Sequence, residues 1–415
     1  MSNSSDLLIW ESRWLALDNL MAAMASQSTS DFARKQTLVS LAQRLRNFAR
    51  GHYNFFADHL SNPADPLLIT SPDYPPEAIF TAIFKQIGND IQAISSAIAQ
   101  RSTGNESMVE TLRHADQLAY AAIKPVLNTW LKRPLHSEPQ TVLTYFNRSA
   151  AVSVIPYAPV ALVAIPYTCM VAPQDFLAIP HEIGHYVFWH GQQGGDSSLR
   201  QQLRDQTLQL RSVWIARWVE EIFADVYGAL IAGESIAQTA QDVQSAYAGV
   251  KFVQDDGRFP VPAIRPYIYT KTLELMGQFD QAEALEHRWY VRRSGRHVKL
   301  STTTQLEYAQ AAVPTMGEAR SEMGKIVEDV VQLLGKLSSD WPQALTTTPA
   351  AQLPALFKPL AAPPELNPRA DISNLYDHWR ATDPITDGPT LDEQGPIPIE
   401  RWLRLVYANG WTMLS

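Results

Sequence analysis

Cysteine is almost missing from these 415 residues. Cys169 is the only one, so the chain has no intramolecular disulfide and no cysteine-ligated zinc site. A single thiol is also what a reducing compartment permits. Basic charge is scarce: 34 Lys and Arg stand against 42 Asp and Glu, a formal net charge of −8, with no long basic run. That balance argues against nucleic acid or an acidic membrane surface as the principal partner. A secretory leader is not evident either, because residues 1–26 lack a positive start and Asp6, Glu11, Arg13 and Asp18 break up their apolar positions. The expected location is cytoplasmic.

A clean membrane span is also lacking. Ser149 to Gln174 carries no charge, which on length alone would suffice for one. Pro156, Pro159, Pro166 and Pro173 forbid an uninterrupted helix there, and Val and Ile dominate between them. Buried strands are expected instead, over 141–146, 152–155 and 160–165.

What the chain does have is apolar content of 46% against 18% charged residues, enough for a large core. Leu7, Leu8, Trp10, Trp14, Leu17 and Met21 fall near helical spacing, and a second helix is expected from an N-cap at 29–31 to about residue 60. A proline-rich connector comes next. Ile79, Phe80, Ile83, Phe84, Ile87, Ile91, Ile94 and Ile98 then form a stripe of helical period, and a fourth helix begins after Thr103-Gly104-Asn105. Four long helices before residue 135 predict an N-terminal helical bundle. The fold class expected is α+β, predominantly helical, with a small antiparallel or mixed sheet. The divisions are 1–135 for the N-terminal helical region, 136–300 for the segment holding the histidine and carboxylate motifs, and 301–415 for a C-terminal helical region with a Pro-rich strap over 346–368.

The histidine motif is His181-Glu182-Ile183-Gly184-His185. On a helix, residues i and i+4 lie about 40° apart in azimuth and one turn along, so both imidazoles can be aimed at one ion. Glu182 sits beside them, able to reach a metal-activated water and take its proton. Zinc then needs a third protein ligand. The extended metzincin pattern would require Gly at 188 and His at 191, where the chain has Phe188 and Gly191. Downstream, Glu221 and Asp225 are again i and i+4, in a run that is otherwise apolar from Ile222 to Ala232. Carboxylates are costly to bury there unless paired or metal-bound. Glu220 is the rival third ligand, although it has Ala224 four residues on.

Together, His181-Glu182-Ile183-Gly184-His185 and Glu221-Ile222-Phe223-Ala224-Asp225 resemble the gluzincin metallopeptidases, in which H-E-x-x-H is succeeded on a later helix by E-x-x-x-D. The resemblance covers about 45 residues. It implies a zincin-like catalytic domain over 136–300, Zn2+ held by His181, His185 and Glu221, Glu182 as general base, and Asp225 orienting a ligating histidine from behind. A small sheet leading into the active-site helix is the zincin order, and the edge strand there would bind an extended peptide by strand addition. The chain departs from thermolysin-like enzymes in placing 35 residues between His185 and Glu221.

The resulting expectation is a zinc metallopeptidase acting on protein or peptide substrates. Arg265 and Tyr269, in the proline-rich stretch after 255, are the candidates for substrate or oxyanion contact; His287 and His297 are further ones. Two alternatives stand beside it. One is a catalytically silent or regulatory peptidase-like binding module with a structural metal, recognising a protein partner through its N-terminal helices. The other is a metal-dependent hydrolase of a non-peptide amide or ester.

Overall fold

A computed structural model describes residues 4–26, 32–61, 68–69, 76–127, 140–191, 199–210, 213–296, 301–302, 315–335, 360–366, 397–398 and 412–414. It is mostly helical with a small mixed sheet, an α+β arrangement. Helices α1 (Ser4–Ala25), α2 (Lys35–Ser61), α3 (Pro76–Ser102) and α4 (Glu106–Ile123) precede strands β1 (Thr141–Asn147), β2 (Ala151–Val154) and β3 (Val160–Pro166). Then come α5 (Ala178–His190), α6 (Leu199–Leu210), α7 (Val213–Ala216), α8 (Val219–Ser245), α9 (Pro266–Leu275), α10 (Phe279–Arg293) and α11 (Met316–Gly335), and finally β4 (Thr412–Leu414). Two-residue parallel ladders also join Leu68–Ile69 to Ile397–Pro398 and Gln254–Asp255 to Ser301–Thr302. No helix among the described residues is long and apolar enough to cross a membrane.

The sheet order is β1-β3-β2-β4, with β1 parallel to β3 and β2 antiparallel to both of its neighbours. Its side chains alternate between two cores. Val142, Phe146, Ala161, Val163 and Ile165 join the larger core formed with α4, α5, α8 and α9. Leu143, Tyr145, Leu162 and Ala164 join the smaller one with α1, α2 and α3. Helices on both faces explain why the strands within 149–174 carry no charge: neither side of them meets water.

The expected N-terminal bundle is therefore divided. Helices α1 to α3 pack together on one face, whereas α4 packs on the opposite face against β1 and α5. Asn105 caps α4, its Oδ1 accepting from Met108 N–H at 2.9 Å, at the Thr103-Gly104-Asn105 break expected from the sequence. A buried ion pair, Arg101 to Asp116 at 2.9 Å, ties α3 to α4 past the margin of the sheet.

That margin is closed to a further strand. The outward backbone groups of β1 are taken by side chains: Arg34 donates to Val142 O at 2.8 Å and Arg101 to Thr144 O at 2.8 Å. Asp116 accepts from Thr144 N–H at 2.8 Å, and Gln100 both accepts from Phe146 N–H and donates to Phe146 O. Of the strap expected over 346–368, residues 360–366 are described. Residues 360–366 cross from α4, where Gln117 donates to Leu360 O, to the start of α2, where Arg34, just before the helix, donates to Pro363 O and Pro364 O, and Leu366 is buried.

Two helices are not evident in the sequence pattern: α6, and α10, whose C-terminal half reads only as a basic stretch. Residues 213–232 are divided between α7 and α8, and α8 bends at Gly233, whose φ of 54° and ψ of −133° suit glycine alone. The helix expected from 304 is described from Met316 onward. Of the expected C-terminal helical region, residues 336–359, 367–396 and 399–411 lie outside the described residues, as does His297.

Candidate metal centre

Helix α5 lies under the sheet, packed against β2 and β3, with its residues from Ile179 to Phe188 buried except His181. It crosses α8 at very short range because Gly184 lies on Ala224: a Cβ added at 184 would stand 2.8 Å from Ala224 Cα and 3.0 Å from Ala224 O. Gly228, one turn further along α8, is approached by the backbone of His181. This crossing brings the histidines of α5 within reach of the carboxylates at the start of α8. Gly184→Ala is accordingly expected to destabilise the fold by about 1–3 kcal/mol, since backbone and not a pliable side chain must move. Chemical denaturation of the metal-free protein would read it, and an unchanged midpoint would contradict the tight crossing.

The Nε2 atoms of His181 and His185 stand 3.1 Å apart. Glu221 completes the triangle, with Oε2 3.6 Å from His181 Nε2 and Oε1 3.6 Å from His185 Nε2. These three are the residues among those described that bring ligand atoms together closely enough for one ion. Tetrahedral zinc with bonds of about 2.0–2.1 Å sets its ligand atoms about 3.3 Å apart, so the spacing fits.

Behind each imidazole is a carboxylate. Asp225 Oδ1 lies 2.9 Å from His181 Nδ1, an ion-pair contact off the straight hydrogen-bond line. Glu220 Oε1 lies 3.1 Å from His185 Nδ1 and also accepts from Trp189 Nε1–H at 2.9 Å. Carboxylates in these places favour a ring proton on Nδ1, and with neutral rings both Nε2 lone pairs would be directed at the same point. Two lone pairs at 3.1 Å repel unless a cation or a proton lies between them.

Arg265 and Tyr269 come into this cluster, and their donors run to its carboxylates. Arg265 donates from Nε and NH2 to both oxygens of Asp225, at 2.8 and 2.9 Å, and from NH2 to Glu221 Oε2 at 2.8 Å. Tyr269 donates its hydroxyl proton to Asp225 Oδ1 at 2.6 Å. The loop that delivers them is pinned at the start of α8. Buried Asp255 accepts from Arg217, from Trp218 Nε1–H and from Gly257 N–H. Asp256 accepts from the backbone of Arg258 and Phe259.

The electrostatics fit a bound cation. Four carboxylates, Glu182, Glu220, Glu221 and Asp225, gather about the two histidines, with Arg265 acting on Glu182, Glu221 and Asp225 and Arg200 on Glu220. Burial alone would raise Asp225, but Arg265 and His181 hold it well below the usual carboxylate range. Burial likewise opposes the charge on Arg265, and Asp225 and Glu221 overcome it. His185 registers the surplus of negative charge: burial works to lower its pKa, yet Glu220, Glu221 and Glu182 push it up to about 9.

Glu182 differs from the other three carboxylates. It is 8% exposed and its pKa is raised, chiefly by burial, with Glu221 adding to the effect. Glu220, Glu221 and Asp225 are each held by Arg, Trp, Tyr or His, whereas Glu182 accepts no hydrogen bond from the described residues.

No family model, curated protein or solved structure matches this chain. Its site is therefore argued from its own residues. His181, Glu182, His185, Glu221, Asp225, Arg265 and Tyr269, all singled out from the sequence, gather here. His287 does not: it lies on α10, beside a surface cavity lined also by Phe279, Ala282 and Tyr290. Glu220, the rival third ligand, turns to His185 Nδ1, and Trp189, which donates to Glu220, is the residue that sequence reasoning missed. The signal for Trp189 was its place at i+4 from His185.

Proposed function

We propose that the chain is a zinc-dependent hydrolase of peptide bonds with a zincin-like catalytic centre. The observation that carries this reading is the convergence of His181 Nε2, His185 Nε2 and Glu221 on one point, next to a buried carboxylate, Glu182, without a hydrogen-bond partner among the described residues. His181, His185 and Glu221 would hold the ion. Zinc supplies a water whose pKa falls to about 7 and a positive charge that polarises the substrate carbonyl.

The remaining work belongs to the chain. Glu182 takes the proton of the attacking water on a carboxylate oxygen and returns it to the leaving amine. Its raised pKa suits both steps. Asp225 and Glu220 keep the two imidazoles in the Nδ1–H tautomer and fixed in rotation. Arg265 and Tyr269, expected as oxyanion or substrate contacts, are better read as positioning residues, because their donors are committed to Asp225 and Glu221.

A second reading draws on the burial of the ligands, His185 and Glu221 being 5% exposed each. Such closure suits a structural metal in a peptidase-like binding module. The readings share their first test. Elemental analysis of protein purified without chelator is expected to find about one zinc per chain, falling to near zero in His181→Ala and Glu221→Ala. Wild-type protein without bound metal would overturn both. Hydrolysis of peptide, and not of ester or non-peptide amide substrates, then selects the peptidase reading.

A further inference from the structure

The sheet offers a peptide two margins, and they are in different states. At β1 the outward groups Val142 O, Thr144 N–H and O, and Phe146 N–H and O are already bonded to Arg34, Arg101, Asp116 or Gln100. An incoming strand would have to strip off four side chains, one of them the buried Arg101. The other margin is β2. It is the single strand running antiparallel to β3, and it packs directly on α5, the helix that carries His181 and His185.

That second margin is not empty. Strand β4 pairs antiparallel with β2, Thr412 opposite Val154, Met413 opposite Ser153 and Leu414 opposite Val152. An extended segment lying antiparallel on β2 has the backbone direction and hydrogen-bonding pattern of a peptide added to the sheet. Main-chain pairing is indifferent to side-chain identity, so any extended peptide that lies along β2 competes for the same N–H and C=O groups. At β1 an incoming strand would first have to displace the side chains of Arg34, Arg101, Asp116 and Gln100.

We infer that β2 is the peptide-binding edge of this protein and that Thr412–Leu414 is its intramolecular occupant, which must leave before another peptide can pair there. The inference rests on the peptidase reading only for the hydrolysis of a peptide once bound. While β4 is docked, the competent fraction is small, and the apparent affinity for a peptide falls in proportion to that fraction. A tethered strand is an effective competitor because its local concentration is set by the tether and not by solution.

The test uses the full chain carrying Glu182→Gln, so that no turnover intervenes, with and without the double substitution Met413→Pro and Leu414→Pro. Neighbouring residues of a strand point their N–H groups in opposite directions, so one of the two prolines must remove a donor to β2. The probe is a fluorescein-labelled synthetic peptide with the sequence of residues 410–415. In the proline variant, amide hydrogen exchange over 152–154 is expected to accelerate. The probe is expected to bind about tenfold more tightly or better than to the parent. A chain shortened by residues 412–415 carries the same expectation and guards against an effect of proline on folding. Unchanged exchange at 152–154, or equal probe affinity in all three proteins, overturns the inference. Restoring Glu182 in the proline variant and loading zinc separates the two ideas: tighter binding without hydrolysis would leave the edge assignment standing and remove the peptidase reading.

Discussion

Glu182→Gln is expected to lower peptide hydrolysis by about 10²–10⁴-fold while zinc content and the unfolding midpoint stay close to those of the parent. The substitution keeps the size of the side chain and removes its capacity to accept a proton. Nothing in the ligand triangle depends on it, since His181, His185 and Glu221 are oriented by Asp225, Glu220 and Arg265. Removing a buried carboxylate from a group of four is also mildly favourable to the fold, because less like charge is confined. The measurement is kcat on a peptide substrate alongside elemental analysis of the same sample. Full activity in a zinc-loaded variant would show that the proton is taken elsewhere and would favour the binding-module reading.

The second large effect is expected at Arg265. Among the described residues its guanidinium is the cation that bridges Glu221 and Asp225, and it sits among groups that are almost wholly buried. Arg265→Met fills similar space and leaves two carboxylates without their counter-charge. Breaking a buried pair in this way costs about 3–5 kcal/mol. The metal-free protein is therefore expected to unfold at much lower denaturant, with Arg265→Lys intermediate because an ammonium reaches fewer of the three carboxylate oxygens at once. Excess zinc is expected to restore part of the loss, about 2.7 kcal/mol at a concentration 100 times Kd. A variant as stable as the parent without metal would mean that the carboxylates are neutral, contrary to the low pKa direction of Asp225.

Much of the centre was legible because helical geometry is short-range. The i, i+4 pairs His181/His185 and Glu221/Asp225 fix side-chain direction within one turn, so spacing alone specifies two faces that can meet. The strands over 141–166 were legible for a similar reason: proline bounds them, and both faces are buried. The partner of His185 was harder to see. Glu220 and Glu221 are adjacent in sequence, and only the crossing of α5 over α8 decides that Glu221 faces both Nε2 atoms while Glu220 turns to Nδ1. Arg265 and Tyr269 were found by position, yet their bonding to carboxylates depended on where the loop after 255 ended up, which side-chain pairs distant in sequence determine. Helix α4 is a helix as its periodicity predicts but lies across the sheet from the other three, since periodicity reports an apolar face and not what covers it.

A single sheet serves as the floor of one core and the ceiling of the other. Residues 1–135 and 136–300 are separate in sequence pattern, yet the first three helices close their core on strands supplied by 141–166. If the sheet is lost, both compartments open together. A cavity cut under α2 would thus be felt at α5 through β3 and β2, with no residue of the metal centre touched. Destabilising substitutions in the first three helices are therefore expected to loosen α5 and α8 as well.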